Sequence, residues 1–397
     1  MPDCQSGCPS SRGQRQHCFT GCLGAGRRFV DCRQARRDRR RGSVVYRKEQ
    51  AGQGTGQEMS IHLKRARAIL KSFARQRILV VGDLMLDRYI YGAVSRISPE
   101  APVPVVHVNR ETSMPGGASN VAWNVQSLGA RAEVAGLVGK DHAGRELRSI
   151  LDEGGVSTSG VMDVAGRSTT VKMRVIAERQ QVVRVDFEEK DGLTGPLQAR
   201  FCRQVAAEVA QCTGVIIEDY GKGVVEQAVM NLVLEVARQR GIPVGLDPKD
   251  GHELDISGIT VATPNRKEAF GIAGVKDPGA TKEPLKDRAL LDVGHRLLEK
   301  WSTELLMITL GPQGMLLLSK AHKPIHVPTR AREVFDVSGA GDTVIATCVT
   351  ALATGASHLE ASELSNYAAG VVVGKLGTAT CTQKELVKYM SDQLATA

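Results

Sequence analysis

The sequence predicts an α/β protein with a doubly wound, mostly parallel sheet flanked by helices and a small antiparallel β lid. Short apolar runs recur along the chain after residue 77, and helical patterns separate most of them. Strands and helices that alternate in this way form βαβ units and a parallel sheet. Residues 88–108 and 169–187 break the rhythm, because polar and apolar residues alternate there as in strands with one solvated face. We predict that these two stretches form the lid.

The first predicted strand, residues 78–81, is apolar throughout and ends at Gly82 and Asp83, which indicates burial on both faces. Similar runs predict strands at 132–138, 214–217, 243–246, 259–262, 305–309 and 315–318. Apolar residues spaced three or four apart indicate helices, which are predicted at 118–128, 143–153, 196–210, 225–240, 285–301, 343–353, 359–376 and 383–394. Residues 59–397 are therefore predicted to form one α/β domain.

Residues 1–58 form a separate segment in composition. Most of the net charge of +9 lies within it, and Arg, Gly, Gln and Cys are dense there without periodicity. Such a segment buries too little apolar surface to fold, so we expect it to be disordered. A helical pattern starts directly after Met59, which suits Met59 as the first residue of the natural protein. Residues 1–58 are therefore also expected to be a non-native extension. The alternatives are a zinc site on Cys4, Cys8, Cys18 and Cys22, and a basic nucleic-acid arm.

The composition excludes several classes of protein. No run approaches the roughly 20 apolar residues that a membrane helix needs, and no secretory signal pattern opens the chain. Cys202, Cys212, Cys348 and Cys381 are scattered among apolar residues, as in a cytosolic protein with reduced cysteines. We therefore expect a cytoplasmic protein that binds no membrane. Because the chain beyond residue 58 is nearly neutral, we expect no nucleic-acid partner either.

Polar residues cluster directly after the predicted strands. In open α/β sheets, ligands bind beyond the carboxyl ends of the strands, so these residues are candidates for one shared site. Any one of them could be a loop residue or a helix cap, but the repetition favours a site. The candidates are Asp83 and Asp87 after the first strand, the segments 219–222 and 247–249 after two later strands, and Asn265, Glu268 and Gly311 further along the chain.

The sharpest motif runs from Asp336 to Asp342, reads Asp-Val-Ser-Gly-Ala-Gly-Asp, and precedes an apolar helical run. Gly339, Ala340 and Gly341 leave their backbone amides accessible, and the start of a helix adds the positive end of its dipole. We therefore predict an anion hole at this point. A carboxylate here, on Asp342, can accept a proton from an attacking hydroxyl. The alternative is that Asp342 only caps the helix.

Familiar motifs for other chemistries are absent from the sequence. It contains no G-x-x-x-x-G-K-[ST], no G-x-G-x-x-G after a strand, no H-E-x-x-H and no G-x-S-x-G. A nucleotide that binds here is therefore held neither by a P-loop nor by a Rossmann turn.

Over about residues 75–385 the motifs resemble the ribokinase/PfkB family of sugar kinases, which implies a ribokinase-like fold. Residues 336–342 resemble the second signature of that family, and Gly116-Gly117 followed by Asn120 resembles the first. The resemblance implies that Asp342 is the catalytic base and that four residues contact sugar hydroxyls, namely Asp83, Gly116, Gly117 and Asn120.

The same resemblance implies a nucleotide site for ATP and Mg²⁺. Residues 265–268 match an Asn-x-x-Glu motif that organises Mg²⁺ and the ATP phosphates, so Asn265 and Glu268 are expected to hold the metal through water. The residues expected at the nucleotide are Asn265, Arg266, Lys267, Glu268, Thr309 and Gly311.

Residues 81–89, 96–104 and 370–378 are more particular, and resemble the D-glycero-β-D-manno-heptose-7-phosphate kinases of lipopolysaccharide-core synthesis. This resemblance implies ATP-dependent phosphorylation of the anomeric hydroxyl to give a 1,7-bisphosphate. Some such kinases are fused to a nucleotidyltransferase with a His-x-Gly-His motif. Gly294-His295 lacks the first His of that motif, so we expect a stand-alone kinase.

A sugar phosphate also needs cations for the phosphate that it already carries. The basic candidates are Arg88, Lys172, Arg174, Arg184, Lys222 and Lys249, and Asp87 is a further candidate for the substrate site. The lid would exclude water from the reaction. Because an exposed lid sheet can pair with a second subunit, a homodimer is expected.

Three alternatives remain open from the sequence. One is another kinase of this fold that acts on an unphosphorylated sugar, a nucleoside or a fructose phosphate. A second is a non-catalytic sugar-sensing regulator, although Asp342, Asn265 and Glu268 together argue against it. The third is a nucleic-acid-binding protein that acts through its basic N-terminal segment.

Overall fold

A nine-stranded sheet and a four-stranded sheet dominate the part of the chain that the computed structural model describes, which is residues 61–394 except 179 and 332. The predicted N-terminal extension, residues 1–58, lies outside these described residues. The strands are β1 (Arg77–Gly82), β2 (Leu84–Ile97), β3 (Pro104–Gly117), β4 (Arg131–Gly139), β5 (Ser157–Val164), β6 (Thr170–Ala177), β7 (Gln180–Phe187), β8 (Gly214–Glu218), β9 (Val244–Asp247), β10 (Val261–Ala262), β11 (Leu305–Thr309), β12 (Met315–Leu318) and β13 (Ile325–Val327).

Helices cover both faces of the larger sheet. They are α1 (Leu63–Phe73), α2 (Ala118–Ser127), α3 (His142–Glu153), α4 (Gly195–Val209), α5 (Gln227–Arg240), α6 (Arg266–Ile272), α7 (Arg288–Trp301), α8 (Ala340–Ala353), α9 (His358–Val372) and α10 (Gln383–Leu394). No helix within the described ranges is both long and apolar enough to span a membrane.

The larger sheet has the strand order β13-β12-β11-β10-β9-β8-β1-β4-β5. All neighbours from β5 to β11 run parallel, and the β11–β12 and β12–β13 pairs are antiparallel. The residues of β1 alternate between two apolar cores, with Ile78 and Val80 in one and Leu79 and Val81 in the other. Burial on both faces explains why the parallel strands are apolar throughout.

Most of the predicted elements are confirmed, with end shifts of a few residues. The structure adds β5, β13 and the short helix α6, whose sequences carry no clear period. The last strand before the anion-hole motif is therefore β13. Helix α8 begins at Ala340, three residues before the predicted start, because the small residues of the motif themselves adopt the helical conformation.

The smaller sheet is the predicted lid, and its strand order is β3-β2-β6-β7. The β2–β3 and β6–β7 pairs are antiparallel as predicted, and β2 and β6, which join the pairs, run parallel. A single residue, Asp83, separates β1 from β2. Its carbonyl accepts a hydrogen bond from the amide of Ala118 at 3.1 Å, where β3 has ended and α2 begins. The lid hairpin therefore leaves and rejoins the main domain at one point.

The carboxyl ends of four adjacent parallel strands define one edge of the larger sheet. The residues found there are Asp83 after β1, Glu218 at the end of β8, Asp247 at the end of β9 and Asn265 after β10. Polar residues that are distant in sequence are therefore brought to one edge.

Candidate active site

Asp342 lies in the first turn of α8, and the residue that caps this helix is Gly339, with a φ of 76°. The side chain of Asp342 is buried, and its two oxygens accept hydrogen bonds from Nδ2 of Asn120 at 2.6 Å and from the hydroxyl of Tyr220 at 3.2 Å. The alternative that Asp342 only caps the helix is therefore wrong. Burial raises the pKa of this carboxyl, and the hydrogen bonds from Asn120 and Tyr220 oppose that shift.

A buried polar network holds Asn120 in place. Asn124, one turn later on α2, donates from Nδ2 to the carbonyl of Asn120 at 2.9 Å. The hydroxyl of Thr343 on α8 donates to Oδ1 of Asn124 at 2.8 Å. Because each buried group has a partner, the network fixes α2 against α8 and orients the Asn120 amide towards Asp342.

Tyr220 connects Asp342 to the lid. Its hydroxyl donates to Asp342, and Nζ of Lys172 on β6 lies 5.4 Å from the centroid of its ring. Burial raises the pKa of the Tyr220 hydroxyl well above its ordinary value, and the negative charge of Asp342 adds to this effect. The hydroxyl is therefore a protonated donor at neutral pH.

Asp83 is buried where β1 turns into β2. Its Oδ2 accepts from the backbone amides of Tyr220 (2.9 Å) and Lys222 (3.0 Å), and its Oδ1 accepts from the amide of Val224 (3.2 Å). Three amide donors stabilise the ionised carboxylate, whereas burial, the larger effect, raises its pKa. The structure thus shows that Asp83 fixes the loop after β8. This is a structural role in addition to the predicted contact with the sugar.

Asp87 and Arg174 form an ion pair on the lid, with 2.7 Å between Oδ1 of Asp87 and NH1 of Arg174. The guanidinium also lies over the ring of Tyr89, 5.2 Å from its centroid. Gly116 faces this pair, because a Cβ on Gly116 would lie only 2.9 Å from the Asp87 carboxylate. The predicted sugar-site residues Asp87, Gly116 and Arg174 are therefore brought together.

Gly117 is the residue before α2 and has a φ of 55°. A Cβ at this position would lie 2.6 Å from the carbonyl oxygen of Asp83. Both the left-handed backbone and the close approach require glycine here, so the Gly-Gly pair is needed for the shape of the site.

Three carboxylates meet beyond the sheet edge. The oxygens of Glu218, Asp247 and Asp342 lie within 4.8 Å of one another, and Glu218 and Asp247 are directly opposite on β8 and β9. Glu218 is 0% exposed, and neither of its oxygens has a hydrogen-bond partner within the described residues. Burial, together with the charges of Asp247 and Asp342, raises the pKa of Glu218 well above its ordinary value. Such an all-oxygen cluster suits a hard divalent cation.

Asn265 and Glu268 form a capping box at the start of α6. The amide of Glu268 donates to Oδ1 of Asn265 at 3.0 Å, and the amide of Asn265 donates to Oε2 of Glu268 at 2.9 Å. The motif predicted to hold the metal therefore also builds a helix terminus. A parallel bridge joins Asn265 to Thr309 at the end of β11, and Gly311 follows with a φ of 57°.

Arg266, which was predicted to contact the nucleotide, points to a different group of residues and forms ion pairs there. Its guanidinium pairs with Asp277 at 2.8 Å and Asp287 at 2.9 Å, and also donates to the carbonyl of Gly279. These contacts occupy its donors and fix the segment before α7, so the structure does not bring Arg266 to the carboxylate cluster. Lys267, the next residue, is exposed on the first turn of α6.

The predicted anion hole is a short turn closed by Asp336. Its Oδ1 accepts from the amide of Ser338 at 2.9 Å, and its Oδ2 accepts from the amide of Gly377 at 3.0 Å. The amide of Ala340 donates to the carbonyl of Val337 at 3.2 Å and is already engaged. Since a helix leaves its first amides without intrahelical acceptors, the amides of Gly341 and Asp342 are the candidates for binding an anion.

A cavity of about 420 Å³ opens beside Tyr220. Its lining is rich in basic side chains and includes Lys190, Lys222, Lys249 and His252. Nδ1 of His252 lies 2.6 Å from Oδ2 of Asp219, so this imidazole is fixed in orientation. Lys222 also forms an ion pair with Glu188 at 2.7 Å, which places it at the border between this cavity and the lid.

Sequence reasoning did not place Glu218 in the site, and it named the segment 219–222 as a candidate without giving Tyr220 a role. Glu218 directly extends the apolar run of β8, and Asp247 extends that of β9. The available signal was two neighbouring parallel strands that both end in a carboxylate. The position of Tyr220 after β8 was a signal for the site, but its role was not, because only the tertiary fold brings its hydroxyl to Asp342.

The chain belongs to the pfkB family of carbohydrate kinases, whose family model matches residues 75–385. Among solved structures, the ribokinase of Arabidopsis thaliana in complex with ribose and ATP matches with a TM-score of 0.61 and 18% identity, covering 79% of this chain and 98% of that one. The fold is therefore ribokinase-like.

Among curated proteins, the chain is similar to the bifunctional protein HldE of Desulfatibacillum aliphaticivorans, with 44% identity over 81% of this chain and 64% of the relative. It is also 45% identical to the bifunctional protein HldE of Caulobacter vibrioides, over 81% of this chain and 65% of the relative. The chain thus spans slightly less than two thirds of the length of these relatives.

Proposed function

We propose that this protein transfers the γ-phosphoryl group of ATP to the anomeric hydroxyl of D-glycero-D-manno-heptose 7-phosphate and releases the 1,7-bisphosphate. The observation that carries the proposal is the buried carboxylate of Asp342, held by Asn120 and Tyr220 at the start of α8. The similarity to bifunctional HldE proteins and the resemblance of residues 81–89, 96–104 and 370–378 to heptose-7-phosphate kinases support the choice of sugar. The bisphosphate would be a precursor of ADP-heptose and the lipopolysaccharide core.

Asp342 is the general base in this proposal. Hydrogen bonds from Asn120 and Tyr220 leave the remaining lone pairs of its oxygens to accept the proton of the sugar hydroxyl. A raised pKa makes the ionised form of a carboxylate a stronger base. Removing such a base typically lowers the rate by about 10²–10⁴-fold.

The first turn of α8 would stabilise charge on the phosphoryl group in transit. Its amides and the helix dipole point to the same side as Asp342. Asp336 would hold this turn in shape through the amides of Ser338 and Gly377. Phosphoryl transfer depends mostly on such positioning and on charge neutralisation.

The carboxylate cluster fits Mg²⁺, because its donors are all oxygens and Glu218 has no partner for either oxygen among the described residues. Glu218 and Asp247 would hold the ion directly, with Asn265 and Glu268 beside them acting through water. When bound, Mg²⁺ would offset the negative charge of the nucleotide phosphates.

The substrate-facing residues would be Asp83, Asp87, Gly116, Gly117 and Asn120 on the sugar side. Lys172, Arg174 and Lys222 would supply positive charge. Closing the lid over them would exclude water and so limit hydrolysis of ATP. Since ATP is the donor, we place the enzyme in the cytoplasm.

The lid would also form a homodimer through its outer face. Val183, Val185 and Phe187 on β7 are between 39% and 51% exposed. They alternate with the inward-facing Arg184 and Asp186, so they share one apolar face. A second copy of the lid is the partner that such a self-complementary face fits.

A coupled ATP-to-ADP assay tests the proposed function. The acceptors would be D-glycero-D-manno-heptose 7-phosphate, ribose, fructose 6-phosphate and adenosine, each with wild type, Asp342→Asn and the exposed control Asp292→Asn. We expect turnover with the heptose phosphate alone, lost in Asp342→Asn and kept in Asp292→Asn. Turnover only with another acceptor would support a different carbohydrate kinase of this family, and no turnover with any acceptor would support the sugar-binding regulator.

A further inference from the structure

The inner face of the lid carries a cluster of cations in two rows of paired strand residues. In the first row, Asp87 on β2 pairs with Lys172 on β6, which pairs with Asp186 on β7. Residues that pair directly across strands point to the same face of a sheet. Because Asp87 is only 5% exposed and Nζ of Lys172 lies over the ring of Tyr220, on the loop after β8, this face is turned towards the main domain.

The second row lies two residues further along each strand and therefore faces the same way. It consists of Tyr89, Arg174 and Arg184. Arg174 and Arg184 are direct cross-strand partners, an arrangement of like charges that is unfavourable unless anions lie nearby. The inner face thus presents Lys172, Arg174 and Arg184 together.

Most of these cations already have a carboxylate partner. Arg174 pairs with Asp87 at 2.7 Å and Arg184 with Asp186 at 2.9 Å. Lys222, which reaches the cluster from the loop after β8, pairs with Glu188 at 2.7 Å.

Lys172 differs from its neighbours because its ammonium forms no ion pair with any described residue. It is partly buried, and its Nζ lies over the ring of Tyr220. Burial lowers the pKa of Lys172, and the positive charges of Arg184 and Lys222 lower it further, although Asp87 opposes them. An anion at this point would relieve that unfavourable environment.

The other basic candidates are less suited to an anion beside the sugar. Arg88 points to the opposite face of β2, where it forms ion pairs with Glu111 on β3 and Glu146 on α3. Lys249 follows β9, and its charge acts on Glu268 at the start of α6, which places it on the nucleotide side.

We propose that Lys172 binds the phosphate that the sugar substrate already carries, with Arg184 and Lys222 as flanking cations. This inference rests on the proposed function, in which Asp342 accepts the proton of the hydroxyl at the other end of the same sugar. Tyr220 lies between the two groups, since its hydroxyl contacts Asp342 and its ring contacts Lys172. One side chain therefore separates the reacting end from the phosphate end.

The experiment compares kcat/KM for D-glycero-D-manno-heptose 7-phosphate with kcat/KM for the unphosphorylated heptose. The variants are Lys172→Met, which removes the ammonium but keeps most of the apolar side chain, Lys172→Arg, which keeps the charge, and Lys384→Met, at an exposed position of α10, as the control. A charge-assisted hydrogen bond to a phosphate corresponds to roughly 10–100-fold in affinity. We expect Lys172→Met to lower the preference for the phosphorylated sugar by that factor, mainly through KM, and Lys172→Arg to retain most of it.

Isothermal titration of inorganic phosphate, without nucleotide, provides a readout independent of turnover. Heat of binding that is present in wild type and Lys384→Met but absent in Lys172→Met supports the proposal. An unchanged preference for the phosphorylated sugar in Lys172→Met overturns it, and leaves the kinase assignment intact if wild type still turns over. If the wild type turns over neither heptose, the proposed function itself is wrong. The assay with ribose, fructose 6-phosphate and adenosine then shows whether the protein acts on another acceptor.

Discussion

Asn120 donates a hydrogen bond to Asp342 across 222 residues of sequence, at 2.6 Å between Nδ2 and Oδ2. The bond joins the first turn of α2, which follows the Gly-Gly pair, to the first turn of α8. The loop expected to grip the sugar and the carboxylate expected to take its proton are thus parts of one rigid unit. A change at either end is therefore expected to alter the other.

Asp342→Asn tests the base directly. Asparagine keeps the size of the side chain but cannot accept the hydroxyl proton, so we expect kcat to fall by about 10²–10⁴-fold. Because a buried carboxylate is costly, the free energy of unfolding should stay equal or rise. Steady-state kinetics and urea denaturation measure the two quantities, and a large loss of stability in Asp342→Asn, but not in Asp292→Asn, would show that the residue is structural.

The raised pKa of Asp342 also predicts a pH profile. Only the ionised carboxylate accepts a proton, so kcat/KM should fall on the acid side as Asp342 becomes protonated. Since burial raises its pKa above the ordinary value of 3.8, we expect this limb at a higher pH than for an exposed aspartate. A profile with no acid limb down to about pH 4 would contradict the assignment.

Glu218→Gln should change how stability depends on pH. The folded state holds a proton on Glu218 more tightly than the unfolded state, because burial raises its pKa well above 4.5. Above about pH 4.5 the folded state therefore binds more protons, and the free energy of unfolding contributed by this group falls as pH rises. The limiting slope for one group is about 1.4 kcal/mol per pH unit.

We expect wild type to lose stability relative to Glu218→Gln as the pH is raised from about 5 to about 8 in the presence of EDTA. Urea denaturation at several pH values measures this difference, with the exposed Glu100→Gln as control. Parallel pH dependence in wild type and Glu218→Gln would mean that Glu218 ionises normally in the fold.

Gly117→Ala should be more harmful than an ordinary glycine replacement. A left-handed φ alone costs an alanine about 1–2 kcal/mol. Gly195 has a similar φ of 57° and no heavy atom near its Cβ position, whereas the Cβ at Gly117 would lie 2.6 Å from the Asp83 carbonyl. We expect Gly195→Ala to show only the backbone cost, and Gly117→Ala to lose at least about 1 kcal/mol more and most of its activity. Equal thermal shifts for the two variants would rule out a steric requirement at Gly117.

Val183→Glu tests the outer face of the lid. A carboxylate in the middle of an apolar interface would be desolvated without a partner, so dimers should dissociate. Light scattering coupled to gel filtration measures the mass, and Leu197→Glu, on the exposed side of α4, serves as control. A wild-type chain that elutes as a monomer would contradict the proposed homodimer.

Local sequence signals were sufficient for the main sheet, because β1 and its neighbours are apolar on both faces. They were also sufficient to place Asp342 at the start of a helix, because the small residues before it are typical of one. They were not sufficient for Arg266, which adjoins Asn265 in the sequence but pairs with Asp277 and Asp287. The direction in which a long side chain points depends on its partners in the tertiary structure, and a short sequence motif does not contain that information.

The hydrogen bond between Ala118 and the carbonyl of Asp83 closes the base of the lid hairpin. We therefore expect that the tip of that hairpin, residues 98–103, can gain or lose residues without displacing the groups at its root. Length changes in this segment would offer an evolutionary route to altered ligand contacts that leaves the surroundings of Asp342 unchanged. The same property makes the tip a suitable position for grafting a foreign loop.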